Sequence, residues 1–109
     1  MVIESSFCLM TAPEYKAFVE RANHMIGLRL NDKWDREPSL NVFFRSDHYP
    51  FVMHGVPALW WFTGFHPDYH QVTDTADKID YPKMEKILRL AYITGFEIGD
   101  ASDPPAFER

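Results

Sequence analysis

The sequence predicts an α/β domain, and only part of one. Residues 57–63, "PALWWFT", form an apolar run of strand length with no polar alternation. That is how a strand covered on both faces reads, typically in a parallel sheet with helices on either side. Two stretches with apolar residues at helical spacing flank it in the chain. Further strand candidates are scarce: residues 1–4 are one and 41–44 a weak second. A buried strand needs neighbours, so the pattern reads as a partial three-layer α/β/α domain. Its remaining strands are expected in an upstream segment or in another subunit.

Each element has its own signal. Thr11 followed by Glu14 has capping-box spacing, and Pro13 is tolerated in a first helical turn. Tyr15, Phe18, Val19, Ala22, Met25 and Ile26 then share one helical face, with His24 at its edge, and Gly27 ends the run. Residues 28–38 read as a polar, turn-like loop from which Trp34 packs back onto the body. Ser46 is a candidate N-cap for a short helix over 47–54. Asp47 suits its positive end and Gly55 stops it. After the strand, Asp80 and Pro82 announce a long helix over 83–99, with Met84, Ile87, Leu88, Ala91, Gly95 and Ile98 expected on its buried face. The tail, with Pro104 and Pro105, is expected to fray.

Composition narrows the function. The chain has 109 residues, 46% hydrophobic, which suits one globular domain. A net charge of −5 leaves no basic stripe to neutralise phosphates, so nucleic acid is an unsuitable partner. No apolar run approaches the roughly 20 residues of a membrane span. The start shows no signal peptide, and compartment stays open. Cys8 is the single cysteine, read as a small buried hydrophobe, and it excludes an internal disulfide framework.

The loop over 63–80 carries the candidate chemistry. Ligands of α/β sheets bind beyond the carboxyl ends of the strands, which is where this loop begins. His70 has Tyr69 beside it and Asp74 four residues on. An imidazole there suits a metal ligand or general base, although by spacing alone a lone loop histidine is more often solvated or simply hydrogen-bonded. Tyr69 alone could cap the strand's aromatic cluster, and Asp47 is explained almost as well as a helix-end charge. His48, His54 and His66 read as structural or solvated. Asp77 and Asp80, around Lys78, read as solvated charges or a helix cap. Trp60 and Trp61 read as sheet packing.

Together, Ser46-Asp47-His48-Tyr49-Pro50-Phe51, Gly55-Val56-Pro57-Ala58, and Tyr69-His70-Gln71-Val72-Thr73-Asp74-Thr75 resemble the C-terminal stretch of the catalytic domain in the two-zinc aminopeptidases. These are the enzymes of the aminopeptidase Y and glutamate carboxypeptidase kind, in a superfamily that includes the glutaminyl cyclases and the transferrin-receptor ectodomain. The resemblance spans roughly 13–99 and is densest over 45–80. It implies that His70 is the last zinc ligand and that the Tyr69 hydroxyl stabilises the tetrahedral oxyanion. It places Asp74 and Thr75 around the loop, with Asp74 bonding backbone amides, and Asp47 and His48 in the pocket lining. Gln71 departs from the family's usual threonine.

The implied reaction is peptide hydrolysis at two zinc ions about 3.5–4 Å apart. The upstream histidine, bridging aspartate, Glu-Glu pair and further carboxylate that it requires are absent from this chain; Glu4, Glu14, Glu20 and Asp32 stand in other contexts. A catalytic zinc ordinarily needs three protein ligands. The expectation is therefore a fragment that supplies one wall of a peptidase site for a peptide substrate. It is inactive alone, without tight zinc, and associates with itself or with the missing half. The alternatives are a non-catalytic self-assembling or partner-binding module, and a glutaminyl-cyclase-like acyl transferase with one zinc.

Overall fold

The computed structural model describes residues 4–8, 13–31 and 46–106, with side chains for 14–31 and 46–106. In order these form strand β1 (Glu4–Cys8), helix α1 (Pro13–Ile26), strand β2 (Arg29–Asn31), helix α2 (His48–Met53), strand β3 (Trp60–Phe62), a 3₁₀ turn (Ala76–Lys78) and helix α3 (Tyr81–Asp100). The capping role of Thr11, the strand expected over 41–44, the packing of Trp34 and the side chain of Cys8 lie outside the described residues.

The chain combines helices with a small mixed sheet of order β2-β1-β3. β1 and β2 are parallel, with Ser5 opposite Leu30, so α1 is the crossover of a β-α-β unit. The turn out of α1 is set by two residues. Gly27 takes φ +79, the left-handed value that glycine adopts without steric penalty, and its N–H bonds the Asn23 carbonyl at 2.7 Å. The Asn23 side chain then grips both sides of Leu28: Nδ2 donates to the Leu28 carbonyl at 2.6 Å and Oδ1 accepts from its N–H at 2.9 Å. This clamp launches β2 directly from the helix end. Residues 28–38 were expected to be loop throughout, and β2 corrects that reading.

β3 also differs from its expectation. Its pairing with β1 is antiparallel, with Phe7 opposite Trp61, and it is three residues long with only Phe62 buried. The run over 57–63 therefore contains a short strand, half-covered rather than enclosed. Side chains alternate across it. Trp61 faces the core cluster, while Trp60 and Phe62 stack on the other face with ring centroids 4.7 Å apart. His48, the first residue of α2, stacks on Trp60 at 5.3 Å.

Val19 and Ala22 of α1, Leu28, and Leu90 of α3 form the core, with Ile87, Ile93, Leu30 and Trp61 packed around them. Two helices thus lie together on one sheet face. α3 starts at Asp80, whose carboxylate accepts the Lys83 N–H at 3.1 Å, with Pro82 in the first turn as expected. Its buried face is turned from the one expected: Leu90 and Thr94 are the fully buried residues, while Met84 and Leu88 are 52% and 64% exposed. α1 shows a smaller departure, since Tyr15, Val19 and Ala22 are buried but Met25 is exposed. In the described part of the tail, the Ala106 N–H donates to the Glu14 carboxylate at 3.3 Å.

Candidate functional site

β3 ends at Phe62, and Gly64 at φ +95 redirects the chain into a loop built from successive turns. The Tyr69 N–H bonds the His66 carbonyl at 3.0 Å, Gln71 bonds Asp68 at 2.9 Å, and Asp74 bonds Gln71 at 3.1 Å. Asp68–Gln71 is one such turn, and His70 occupies its third position at φ +57. That position at positive φ normally belongs to glycine or asparagine, because a Cβ crowds the backbone there. Among the described residues, His70 is the only non-glycine residue at positive φ.

The imidazole is exposed and lies flat on the half-buried Tyr69 ring, with centroids 4.0 Å apart and planes 16° apart. Phe65 meets Tyr69 edge-on at 5.1 Å and Phe62 edge-on at 5.1 Å. A continuous series of rings therefore runs from His48 through Trp60, Phe62, Phe65 and Tyr69 to His70. Such contacts each contribute about 0.5–1.5 kcal/mol beyond area burial. They fix the phenol and imidazole relative to the sheet.

A charged contact closes the loop from below. Lys78 Nζ donates to Asp68 Oδ1 at 2.9 Å across ten residues. This bond, and a second from the Thr73 side chain, hold the Asp68 carboxyl below its usual pKa, with a smaller contribution from His66. The Tyr81 hydroxyl donates to the Ala76 carbonyl at 3.1 Å and ties the 3₁₀ turn to α3. Neither Asp68 nor Lys78 stood out in the sequence; the available signal was a Pro-Asp turn start with a lysine ten residues on.

The remaining candidates are spread out. Asp47 occupies the N-cap of α2 without a side-chain cap bond. Asp74 is exposed and shares in the loop through its backbone N–H, and Thr75 precedes the 3₁₀ turn, its carbonyl accepting the Lys78 N–H at 3.0 Å. His54 Nδ1 donates to the Pro50 carbonyl at 2.7 Å and finishes α2. A groove of about 750 Å³ runs between the loop and α3, lined by Phe65, His66, Ile79, Met84, Ile87 and Leu88 among others. Tyr69 and His70 do not line it. Among the described residues no three His, Cys, Asp or Glu side chains converge to hold a metal ion.

A family model described as Peptidase family M28 matches residues 5–94, from β1 into α3. The chain belongs to peptidase family M28. No curated protein and no solved structure matches it. M28 membership makes this a peptidase-related chain and gives zinc as the metal to test against its residues. The fit is partial: an imidazole such as His70 is a donor type that zinc takes, but among the described residues no three such side chains converge. Among them no helix is long and apolar enough to cross a membrane.

Proposed function

We propose that this chain is the C-terminal portion of a zinc-dependent aminopeptidase catalytic domain, inactive alone and completed by a polypeptide that brings the upstream ligands. The observation that carries the reading is the pose of His70: an imidazole placed where a turn favours glycine, laid on Tyr69, in the loop that follows β3. Strained positions of this kind persist where the surroundings over-determine them, and they cluster at functional sites. In the completed three-layer α/β/α domain, His70 contributes one donor to a two-zinc centre. Zinc supplies the Lewis-acid chemistry of peptide hydrolysis. Tyr69 presents its hydroxyl to the oxyanion of the substrate, and Asp47, His48, Asp74 and Thr75 shape the surrounding wall.

The exposed apolar side chains of α3 support this reading. Met84, Leu88, Tyr92 and Phe96 recur every four residues along α3 and are all more than half exposed. The isolated chain covers these surfaces by associating with itself, and the missing half displaces that contact. Sedimentation at micromolar concentration is expected to show a homo-oligomer, whereas a clean monomer would remove self-association from the account.

The decisive experiment supplies the missing half. Mixed with a folded polypeptide carrying the upstream histidine, aspartate and Glu-Glu ligands, the chain is expected to take up zinc and release N-terminal residues from peptides, which neither part does alone. Formation of a stable complex without zinc uptake would contradict the reading.

A further inference from the structure

We propose that Asp68 and Lys78 are positioning residues for the His70–Tyr69 pair, acting as a clamp that holds His70 in its left-handed turn. This deepens the reading of His70 and Tyr69 as the chemical groups of the site, and rests on it. Asp68 acts twice. Its carbonyl accepts the Gln71 N–H at 2.9 Å and so closes the turn that contains His70. Its carboxylate takes Lys78 Nζ at 2.9 Å, so the far end of the loop holds the turn's first residue. Lys78 is itself fixed, because its N–H bonds the Thr75 carbonyl within the 3₁₀ turn, and that turn is tied to α3 through the Tyr81 hydroxyl on Ala76. A chain of contacts therefore runs from α3 to the turn.

The clamp answers a specific problem. A histidine at positive φ relaxes toward the ordinary right-handed or extended regions unless its neighbours prevent it. The Tyr69 stack constrains the ring but leaves the backbone of the turn free to rotate. Asp68 and Lys78 constrain that backbone from a different direction. An exposed ion pair contributes little to global stability, so the effect of this one is local.

The test is nuclear magnetic resonance on the intact free chain, with no metal or substrate present. Two signals of His70 are read: the HN–Hα coupling that reports φ, and the shift of the imidazole protons in the ring current of Tyr69. Lys78→Met and Asp68→Asn are expected to move both signals toward averaged, unstacked values while the Val19 and Leu90 methyl shifts stay in place. Lys78→Arg is expected to retain the native signals. Native His70 signals in both Lys78→Met and Asp68→Asn would overturn the proposal. So would an equal loss in Lys78→Arg, which would mean that the lysine packs rather than pairs. Because these signals are independent of zinc and turnover, failure of the peptidase reading leaves them unchanged, and the two failures are separable.

Discussion

His70 occupies a turn position where the Cβ of an L-residue crowds its own backbone, at φ +57. Asparagine tolerates that region and β-branched residues do not. His70→Asn is therefore expected to unfold within about 0.5 kcal/mol of the parent chain, and His70→Val to lose about 1–2 kcal/mol. Equal stabilities for the two in denaturant titrations would show that the left-handed conformation is not maintained in solution. Tyr15 makes a second residue-level case. Burial raises its pKa above the ordinary 10.0 because the phenolate would lose its hydration. Neutral Tyr15 is thus favoured by folding, and that contribution is fully present below pH 10. It is lost as pH rises past 10 through the raised folded value, since the unfolded chain ionises first. Tyr15→Phe is expected to flatten the decline of stability above pH 10, and an unchanged slope would place the titration elsewhere.

Several helix ends were legible in the sequence because their chemistry is local, although α2 is capped at Asp47 rather than at the expected Ser46. Asp80 caps α3 through Lys83, and Gly27 and Gly55 end α1 and α2 at positive φ. Faces and strands were less legible. α3 is apolar on two sides, so hydropathy had no means of choosing Leu90 and Thr94 over Met84 and Leu88 for the core. Leu90→Ala is accordingly expected to cost about 2–5 kcal/mol, and Leu88→Ala, 64% exposed, to stay within about 0.5 kcal/mol in the monomer. The reverse order in thermal unfolding would mean that the helix is rotated. β2 escaped notice because Arg29–Asn31 is too short and too polar to alternate; its pairing comes from the Asn23 clamp and from β1. The continuous apolar run over 57–63 marked the place of β3 but overstated its length and burial, because such runs look alike in strands and in apolar approach segments. For the site, the combined motifs pointed to the loop after β3, while the Asp68–Lys78 clamp depends on a ten-residue contact that no periodicity reveals.

At the scale of the whole molecule, the described residues give a small core of two helices on one sheet face, a second face met by α2 through His48, and apolar surface along α3. The M28 match runs through nearly all of these elements. The same residues bring one exposed imidazole and one phenol to the end of β3, without the converging donors that a metal needs. On the proposed function this core is a separable part of a larger catalytic domain, and zinc content is the most direct test of that proposal. In the complex with an upstream half, zinc measured per complex by elemental analysis is expected to fall by about one ion on His70→Ala, with loss of peptidase turnover, while the complex itself stays assembled. Undiminished zinc and turnover in that variant would contradict the assignment of His70 and, with it, the proposed function.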